Sequence, residues 1–244
     1  MKIKKRLDVL LVEQGHADTR SKAQAIIMSG LVYVNGQKAD KPGTAFEETV
    51  QIEVRTGGCP YVSRGGLKLE KALRDFGVKP EGYVCSDSGA STGGFTDCLL
   101  QNGALRVHAV DVGTNQLVWK LRNDPRVIVK EQFNARYMTP ADLGEKVSLI
   151  VSDVSFISLT KILPAAYSCL EEGGDLLVLI KPQFELQPED IGPGGIVRDP
   201  VLHSRAVEKI RDFVVNELHR EWMGVADSPI TGMEGNKEFL AWLR

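Results

Sequence analysis

The sequence predicts an α/β protein: a mostly parallel sheet of seven strands covered by helices, preceded by a small α+β domain. Short apolar segments typical of buried strands alternate with helical patterns through most of the chain. Such alternation is typical of parallel strands joined by right-handed crossovers. The predicted strands are residues 83–87, 106–112, 127–129, 147–153, 175–180, 221–226 and 238–243. Because the last two are close in sequence, we expect them to form an antiparallel pair at the edge of the sheet.

The N-terminal part of the chain differs in pattern and charge from the rest. Residues 1–41 carry eight Lys and Arg against four Asp and Glu, whereas the whole chain has a net charge of −2. We therefore expect a basic domain at 1–58, suited to nucleic acid, and a larger acidic domain at 59–244. Residues 56–60 contain two glycines and a proline and predict a hinge between them.

The small domain is predicted to contain two helices followed by a hairpin and a further strand. Apolar spacing and the helix stops at Gly15 and Gly30 define the helices, and an Asn-Gly pair defines the turn. The predicted elements are helices at 6–15 and 19–29, strands at 31–34 and 50–54, and a tight turn at Asn35-Gly36.

The composition argues against several classes of protein. The four cysteines show no C-x-x-C pair and no neighbouring histidine, so neither a metal site nor a disulfide framework is expected. Asp8 and Glu13 interrupt the apolar run that a signal peptide would need after its basic start. No stretch approaches the roughly 20 apolar residues of a membrane helix. We therefore expect a cytoplasmic protein that does not insert into membranes.

A glycine-rich loop follows the first strand of the large domain. Asp87 ends the strand, Gly89, Gly93 and Gly94 line the loop, and a helical pattern begins at Phe95. Phe95 stands where a P-loop requires lysine, and the glycine spacing does not match the dinucleotide fingerprint. An acid at a strand end, a glycine loop and a second acid after the next strand are instead typical of S-adenosylmethionine enzymes. An ordinary tight turn remains the alternative on spacing alone.

Polar residues end four of the predicted parallel strands. They are Asp87, Asp111, Asp153 and Lys181. Ligands of open α/β sheets bind beyond the carboxyl ends of the strands. In this arrangement Asp87 would face the ammonium of S-adenosylmethionine and Asp111 its ribose hydroxyls, while Asp153 and Lys181 are candidates for catalysis.

Several long motifs resemble the TlyA family of S-adenosylmethionine-dependent rRNA ribose methyltransferases, widely named haemolysins. They are YVSRGGLKL at 61–69, GASTGGFTD at 89–97, DVG at 111–113, WKLR at 119–122, DVSFISL at 153–159 and KPQFE at 181–185. The resemblance covers essentially the whole chain. It implies a Rossmann-like methyltransferase domain of the FtsJ class, and residues 5–55 resemble the alpha-L RNA-binding motif of a ribosomal small-subunit protein. Ser88 and Pro193 depart from the family pattern. Pro193 lies in a second glycine-rich stretch, at 192–199, and puts the RNA role of that stretch in doubt.

The resemblance implies a role for individual residues. The catalytic tetrad of the FtsJ class falls on Lys68, Asp153, Lys181 and Glu238. The expected cofactor-binding residues are Asp87, Gly89, Ser91, Thr92, Gly93, Gly94, Phe95, Asp111, Val112, Asn134 and Asp153, with residues 132–136 near the adenine. The expected RNA-binding residues are Arg6, Arg20, Lys22, Lys38 and Arg64.

These residue types suit methylation of a ribose 2′-hydroxyl. The hydroxyl must lose its proton as it attacks the sulfonium methyl, and a lysine can accept that proton when burial and a second cation lower its pKa. Lys181 is the candidate base, Lys68 the neighbouring cation, and Asp153 and Glu238 orient the two.

The predicted function is methylation of a ribose, of cytidine by the family resemblance, in ribosomal RNA or ribosomal subunits, with no obligate protein partner. A membrane-active haemolysin and a cofactor-binding protein without catalysis are the alternatives. No pore-forming segment is visible in the sequence, and the intact tetrad argues against loss of catalysis.

Overall fold

The computed structural model describes residues 4–28, 30–54, 59–232 and 235–244. The chain divides into two compact units, Met1–Pro60 and Tyr61–Arg244, each of which is described by itself. The division into domains at 1–58 and 59–244 stays a prediction. Of the predicted hinge, Thr56, Gly57 and Gly58 lie outside the described residues.

The first unit contains two helices and two small antiparallel sheets. Its elements are β1 (Lys4–Arg6), α1 (Leu7–Glu13), α2 (Arg20–Met28), β2 (Val32–Val34), β3 (Gln37–Lys38), β4 (Ala45–Glu47) and β5 (Ile52–Val54). β1 pairs with β4, and β2 lies between β3 and β5. The predicted Asn35-Gly36 turn joins β2 to β3, and both of its residues adopt positive φ angles. The core contains Leu7, Leu10, Leu11, Ala23, Ile27, Val32, Val34 and Ile52.

The first helix is shorter than predicted. Residue 6 was expected to be helical, but Arg6 ends a strand that pairs with residue 45 of β4. All three residues of β1 are charged, so no alternation of apolar and polar residues marks them as a strand. The helical spacing of the following leucines therefore led to a helix that included residue 6. Pairing with a strand distant in sequence therefore determines where α1 begins.

A buried carboxylate organises the polar side of the first unit. Asp8 is fully buried and accepts hydrogen bonds from Arg6, from Arg20 at 2.9 Å and from Gln24 at 2.8 Å. The Arg6 guanidinium is the main reason why the pKa of Asp8 lies well below its usual range. Asp8 thus holds two of the arginines predicted to bind RNA, and both remain about half exposed.

The second unit is a three-layer α/β structure. Its helices are α3 (Gly65–Phe76), α4 (Gly94–Gln101), α5 (Trp119–Arg122), α6 (Pro140–Leu143), α7 (Leu163–Cys169), α8 (Pro182–Glu185) and α9 (Pro200–Asp212). Its strands are β6 (Val84–Ser88), β7 (Arg106–Val110), β8 (Val127–Lys130), β9 (Val147–Ser152), β10 (Leu170–Ile180), β11 (Trp222–Asp227) and β12 (Phe239–Leu243).

The seven strands form one sheet in the order β11-β12-β10-β9-β6-β7-β8. The pairs from β10 to β8 are parallel, while β12 is antiparallel to both β10 and β11. The mostly parallel seven-stranded sheet is therefore confirmed. As predicted, the last two strands pair antiparallel at one edge of the sheet, with β11 outermost and β12 between β11 and β10.

The carboxyl ends of β6, β7, β9 and β10 meet along one rim of the sheet. Leu149, Ile150 and Val151 in β9 and the neighbouring residues of β10 are fully or almost fully buried, as expected for strands covered on both faces. β7 and β9 end earlier than predicted, at Val110 and Ser152. Asp111 and Asp153 therefore begin the loops beyond the strands, where a ligand can reach their side chains.

Candidate active site

The glycine-rich loop joins β6 to α4 through backbone conformations that favour glycine. Gly89 and Gly93 have φ angles of +87° and +100°. A Cβ built on Gly89 would lie 2.7 Å from the backbone oxygen of Asp153. The loop therefore packs directly against the end of β9 and requires a residue without a side chain at this position.

Asp111 accepts two backbone hydrogen bonds, one from this loop and one from the loop that follows β7. Its Oδ2 accepts from the Ser91 amide and its Oδ1 from the Gly113 amide, each at 2.7 Å. Ser91 itself adopts a positive φ of 49°. The contacts fix the carboxylate beside a cavity of about 420 Å³.

Most of the predicted cofactor residues line this cavity or the one next to it. Gly89, Ser91, Asp111, Val112, Asn134 and Asp153 line the first, together with apolar Phe133, Ile157 and Ile162. Thr92, Gly94 and Phe95 line a second cavity of about 460 Å³, where Arg64 and Lys68 also lie. Gly93 is not among the described residues that line either cavity; a Cβ there would collide with Leu121.

Asp87 is placed differently from the other predicted cofactor residues. It is fully buried behind the loop, where its Oδ2 accepts a hydrogen bond of 2.6 Å from Thr96 and its Oδ1 has no partner among the described residues. Loss of hydration raises the pKa of this carboxyl to about 7. Its position gives no direct support to the expected contact with an ammonium group.

This burial predicts a pH dependence of stability. Between roughly pH 4 and 7 the folded protein binds a proton at Asp87 that the unfolded chain does not, so the free energy of unfolding should fall as pH rises through this window and level off above it. Asp87→Asn should remove this decline. Thermal unfolding from pH 4 to 8 measures it, with Asp212→Asn at an exposed position of α9 as the control. Parallel profiles for wild type and Asp87→Asn would contradict it.

The four tetrad residues form a row of alternating charge. Lys181 Nζ lies 2.7 Å from Asp153 Oδ1, and Lys68 Nζ lies 3.3 Å from Asp153 Oδ2 and 2.7 Å from Glu238 Oε2. Lys68 and Lys181 are each only 8% exposed and Glu238 only 3%. Charges so deep are stable only when paired, and here every cation has a carboxylate beside it.

The row is assembled from four separate elements. Lys68 comes from the first turns of α3, Asp153 follows β9, Lys181 follows β10, and Glu238 precedes β12. A cavity of about 240 Å³ opens onto all four side chains and onto Gly89 and Ser91 of the glycine-rich loop. The structure thus brings the predicted tetrad together beside the predicted cofactor loop.

Three further residues around the tetrad were not predicted from the sequence. Lys181 donates a hydrogen bond of 2.8 Å to Ser155. Gly232 packs against the Glu238 carboxylate so closely that any side chain would collide with it. Phe156 is 85% exposed and has a φ of 62°, an unfavourable backbone conformation for an aromatic residue. The strained conformation of Phe156, at the edge of the cavity, marks it as a candidate functional residue.

Glu185 fixes the two loops that carry these groups. Its buried carboxylate accepts from Ser158 Oγ at 2.5 Å and from the Leu159 amide at 2.8 Å, and it lies 3.2 Å from Lys209 Nζ of α9. The loop after β9 and the short α8 after β10 are therefore held to the same helix. The KPQFE motif contained Glu185, but only the structure shows what the residue contacts.

Comparison with known proteins identifies the second unit. The pattern of FtsJ-like methyltransferases matches residues 61–244. The chain belongs to the FtsJ-like methyltransferase family. An S4 domain matches residues 5–52 of the same chain. The predicted two-part organisation, an RNA-binding type of domain followed by a methyltransferase, is thus the arrangement found.

Relatives of this FtsJ-like methyltransferase match nearly its full length. The "16S/23S rRNA (cytidine-2'-O)-methyltransferase TlyA" of Mycobacterium tuberculosis is 46% identical, over 98% of this chain and 89% of the relative. "Hemolysin A" of Brachyspira hyodysenteriae is 47% identical, over 97% and 98%. A solved structure described as a hemolysin from Streptococcus thermophilus has a TM-score of 0.77 and 48% identity, covering 100% of this chain and 89% of that one. The resemblance to the TlyA family is therefore confirmed.

Membrane-spanning helices and metal-binding clusters are both absent from the part of the chain that the structure describes. No described helix has the length and apolar character to cross a membrane. Within the same residues, no group of three or more His, Cys, Asp or Glu side chains is placed to hold a metal ion.

Proposed function

We propose that this FtsJ-like methyltransferase transfers a methyl group from S-adenosyl-L-methionine to the ribose 2′-hydroxyl of a cytidine in ribosomal RNA. The observation that carries the proposal is the buried Lys181–Asp153–Lys68 row beside the cavity of Asp111 and Gly89. The activity named for the Mycobacterium tuberculosis relative supports the choice of substrate.

The cavity suits S-adenosyl-L-methionine chemically. Gly89 and Ser91 of the glycine-rich loop line the part of the cavity proposed for the amino acid part, Asp111 offers carboxylate oxygens to ribose hydroxyls, and Phe133, Ile157 and Ile162 offer an apolar surface to the adenine. Asn134, in the predicted adenine-binding stretch, also lines it. When bound there, the cofactor supplies a sulfonium methyl that the 2′-oxygen attacks, forming the O–CH3 bond as the S–CH3 bond breaks.

The tetrad handles the proton and the geometry. Lys68 lies between two carboxylates, whereas Lys181 contacts one carboxylate and the Ser155 hydroxyl. Lys68 is therefore engaged on both sides by carboxylates, and Lys181 is the proposed acceptor for the 2′-hydroxyl proton. Asp153 positions both amines, and the bound ribose is oriented for in-line attack.

Aromatic and basic residues complete the proposal for RNA. The Phe156 ring lies 5.1 Å from the Phe184 ring, at an angle of 49°, beside the tetrad cavity, and could stack a base lifted out of its helix. Arg64 at the N-terminus of α3 and Arg6, Arg20, Lys22 and Lys38 of the first unit are proposed to contact phosphates. Since Asp8 holds Arg6 and Arg20, these two would present their half-exposed guanidinium groups in a fixed orientation.

The proposed function is tested with labelled cofactor. The full-length protein is incubated with separated ribosomal subunits and with S-adenosyl-L-methionine labelled in its methyl group. The labelled nucleotide is then mapped and is identified after digestion. We expect 2′-O-methylcytidine in ribosomal RNA. Label in protein, in a base or in no ribosomal product would refute the proposed reaction.

The cofactor site is tested separately through Asp111. Asp111→Ala removes a carboxylate that also anchors the loop, so affinity for S-adenosylhomocysteine should fall roughly 10- to 100-fold, the worth of a hydrogen bond to a charged group. Calorimetry measures the affinity, with Asp212→Ala at an exposed position of α9 as the control. Unchanged affinity of Asp111→Ala would remove this residue from the site.

The alternative of a membrane-active haemolysin receives no support from the tetrad. Lytic activity has no use for four alternating charges, three of them buried, beside a cofactor-sized cavity. The complete tetrad likewise argues against a binding protein without catalysis. Ribosomal RNA as the substrate is consistent with a cytoplasmic location, and the proposed function includes no obligate protein partner.

A further inference from the structure

Trp119, the first residue of the WKLR motif and of α5, lies on the surface and is 77% exposed. Tryptophan is usually largely buried, and exposed tryptophans are enriched where proteins bind partners. Trp119 is not among the described residues that line the cofactor cavity or the tetrad cavity, so neither of them accounts for its exposure. The ring is therefore open to a ligand other than the cofactor.

The backbone that presents this ring is fixed. The Val118 amide donates a hydrogen bond of 3.3 Å to the carbonyl of Thr92 in the glycine-rich loop. The Asn115 amide donates at 2.9 Å to Glu131, which follows β8. An aromatic ring on a backbone held in this way loses little conformational freedom when it binds a ligand.

Two exposed cations lie beside the same part of the glycine-rich loop. The cavity of about 460 Å³ that Thr92 lines also contains Arg64. Lys120 Nζ lies 3.6 Å from Asp97, which accepts a hydrogen bond of 2.9 Å from the backbone amide two residues before Arg64. Trp119, Lys120 and Arg64, together the tryptophan patch, thus lie along one margin of the active site.

This margin is locally basic. Residues 112–123 contain no Asp or Glu. Glu131 contacts this segment but is paired with Arg122. The side chain of Lys120 is 74% exposed, and Arg64 is exposed as well. Cations beside an exposed aromatic ring suit RNA, since the cations attract phosphates and the ring stacks on bases.

The tryptophan patch and Phe156 lie on different sides of the tetrad. Arg64 lines the cavity of about 460 Å³ and Phe156 the cavity of about 240 Å³, and the two cavities share Lys68 and Asp153. An RNA strand whose target ribose lies at the tetrad therefore meets aromatic surface on both sides.

We propose that the tryptophan patch binds an unpaired nucleotide of the RNA substrate that flanks the nucleotide to be methylated. Its base stacks on the indole ring of Trp119, and Lys120 and Arg64 contact the adjoining phosphates. Stacking accepts any base, so the patch adds affinity for single-stranded RNA and no choice of sequence. The inference rests on the proposed function and adds a second attachment point for its substrate.

The inference is tested with Trp119→Ala in the full-length protein, with protein-free ribosomal RNA and separated ribosomal subunits as the two ligands. Affinity for both should fall roughly 5- to 150-fold, the usual worth of one base stacked on an aromatic side chain. Because the ring lies outside the cofactor and tetrad cavities, KM for RNA should rise while kcat and the affinity for S-adenosylhomocysteine stay unchanged. Trp119→Phe keeps a ring and should retain most of the RNA affinity.

Fluorescence reports the stacking itself. The chain has three tryptophans, and Trp222 and Trp242 belong to β11 and β12, on the opposite side of the sheet from β8. RNA should quench the emission of the wild-type protein because a base stacks on Trp119, and Trp119→Phe should bind RNA without this quenching. Quenching of the same size in Trp119→Phe would contradict stacking on this ring.

Val201→Ala is the control, since Val201 on α9 is exposed to a similar extent, 71%. Its RNA affinity should match that of wild type, and the melting temperatures of all variants should agree. Unchanged RNA affinity of Trp119→Ala would overturn the inference. A loss confined to ribosomal subunits would overturn it as well, because the partner would then be a ribosomal protein.

Methyl transfer by wild type, measured alongside, separates this inference from the proposed function. Transfer by wild type together with unchanged RNA binding by Trp119→Ala overturns the role of the tryptophan patch alone. Absence of transfer to ribosomal RNA by wild type overturns the proposed function and this inference with it.

Discussion

Lys181→Ala should lower methyl transfer to ribosomal RNA by roughly 10²- to 10⁴-fold, the usual worth of general base catalysis, without changing cofactor affinity. Lys181 follows β10 and contacts Asp153 and Ser155, whereas the glycine-rich loop and Asp111 are held by contacts of their own. Single-turnover transfer and calorimetry measure the two quantities.

Lys146→Ala is the matched control. This exposed lysine precedes β9, whereas Asp153 follows it, so the two residues lie at opposite ends of the same strand. Its transfer rate should match that of wild type. Lys68→Ala should also reduce transfer, since it leaves Glu238 buried without its cation. A Lys181→Ala variant that transfers methyl groups at the wild-type rate would rule out Lys181 as the base.

Gly89→Ala should damage the cofactor site and the tetrad together. The new methyl group would lie 2.7 Å from the backbone oxygen of Asp153 and 3.0 Å from its carbonyl carbon, at a position whose φ of +87° already disfavours alanine. Backbone atoms cannot swing aside as a side chain can, so the loop and the end of β9 must separate. Displacement of Asp153 by about 1 Å is enough to cost on the order of 10² in rate, and cofactor affinity should fall as well.

Gly144→Ala separates this effect from general backbone strain. Gly144 has a φ of +81°, but nothing lies within 4 Å of the position that its Cβ would occupy. Both variants should lose roughly 1 kcal/mol or more of stability from the strained backbone, while only Gly89→Ala should lose cofactor affinity and transfer. Equal activities of the two variants would contradict the tight packing of the loop on β9.

The sequence predicted the parts of the site that depend on strand order. Asp111, Asp153 and Lys181 each follow a parallel strand of the same sheet, and alternation of strands and helices is enough to bring such strand ends to one rim. Lys68 and Glu238 required the family resemblance, because nothing in their local pattern shows that a helix and an antiparallel strand bring them to the same row.

Other features depend on contacts that no local pattern encodes. The burial of Asp8 beneath two arginines and the attachment of Glu185 to Lys209 join residues from different elements. Asp87 was expected at the cavity because it ends a strand, but its side chain turns to Thr96 and the interior. A period-two pattern gives the face on which a side chain lies, whereas its final partner depends on packing.

The position of β12 inside the sheet has a consequence for synthesis of the protein. Glu238 immediately precedes this strand, and β12 must insert between β10 and β11 before the sheet is complete. Lys68 lies 170 residues upstream of its partner Glu238, so this ion pair is among the longest-range contacts of the chain. A nascent chain therefore has no complete tetrad until β12 has left the ribosome and docked, and we expect methylating activity only after that step.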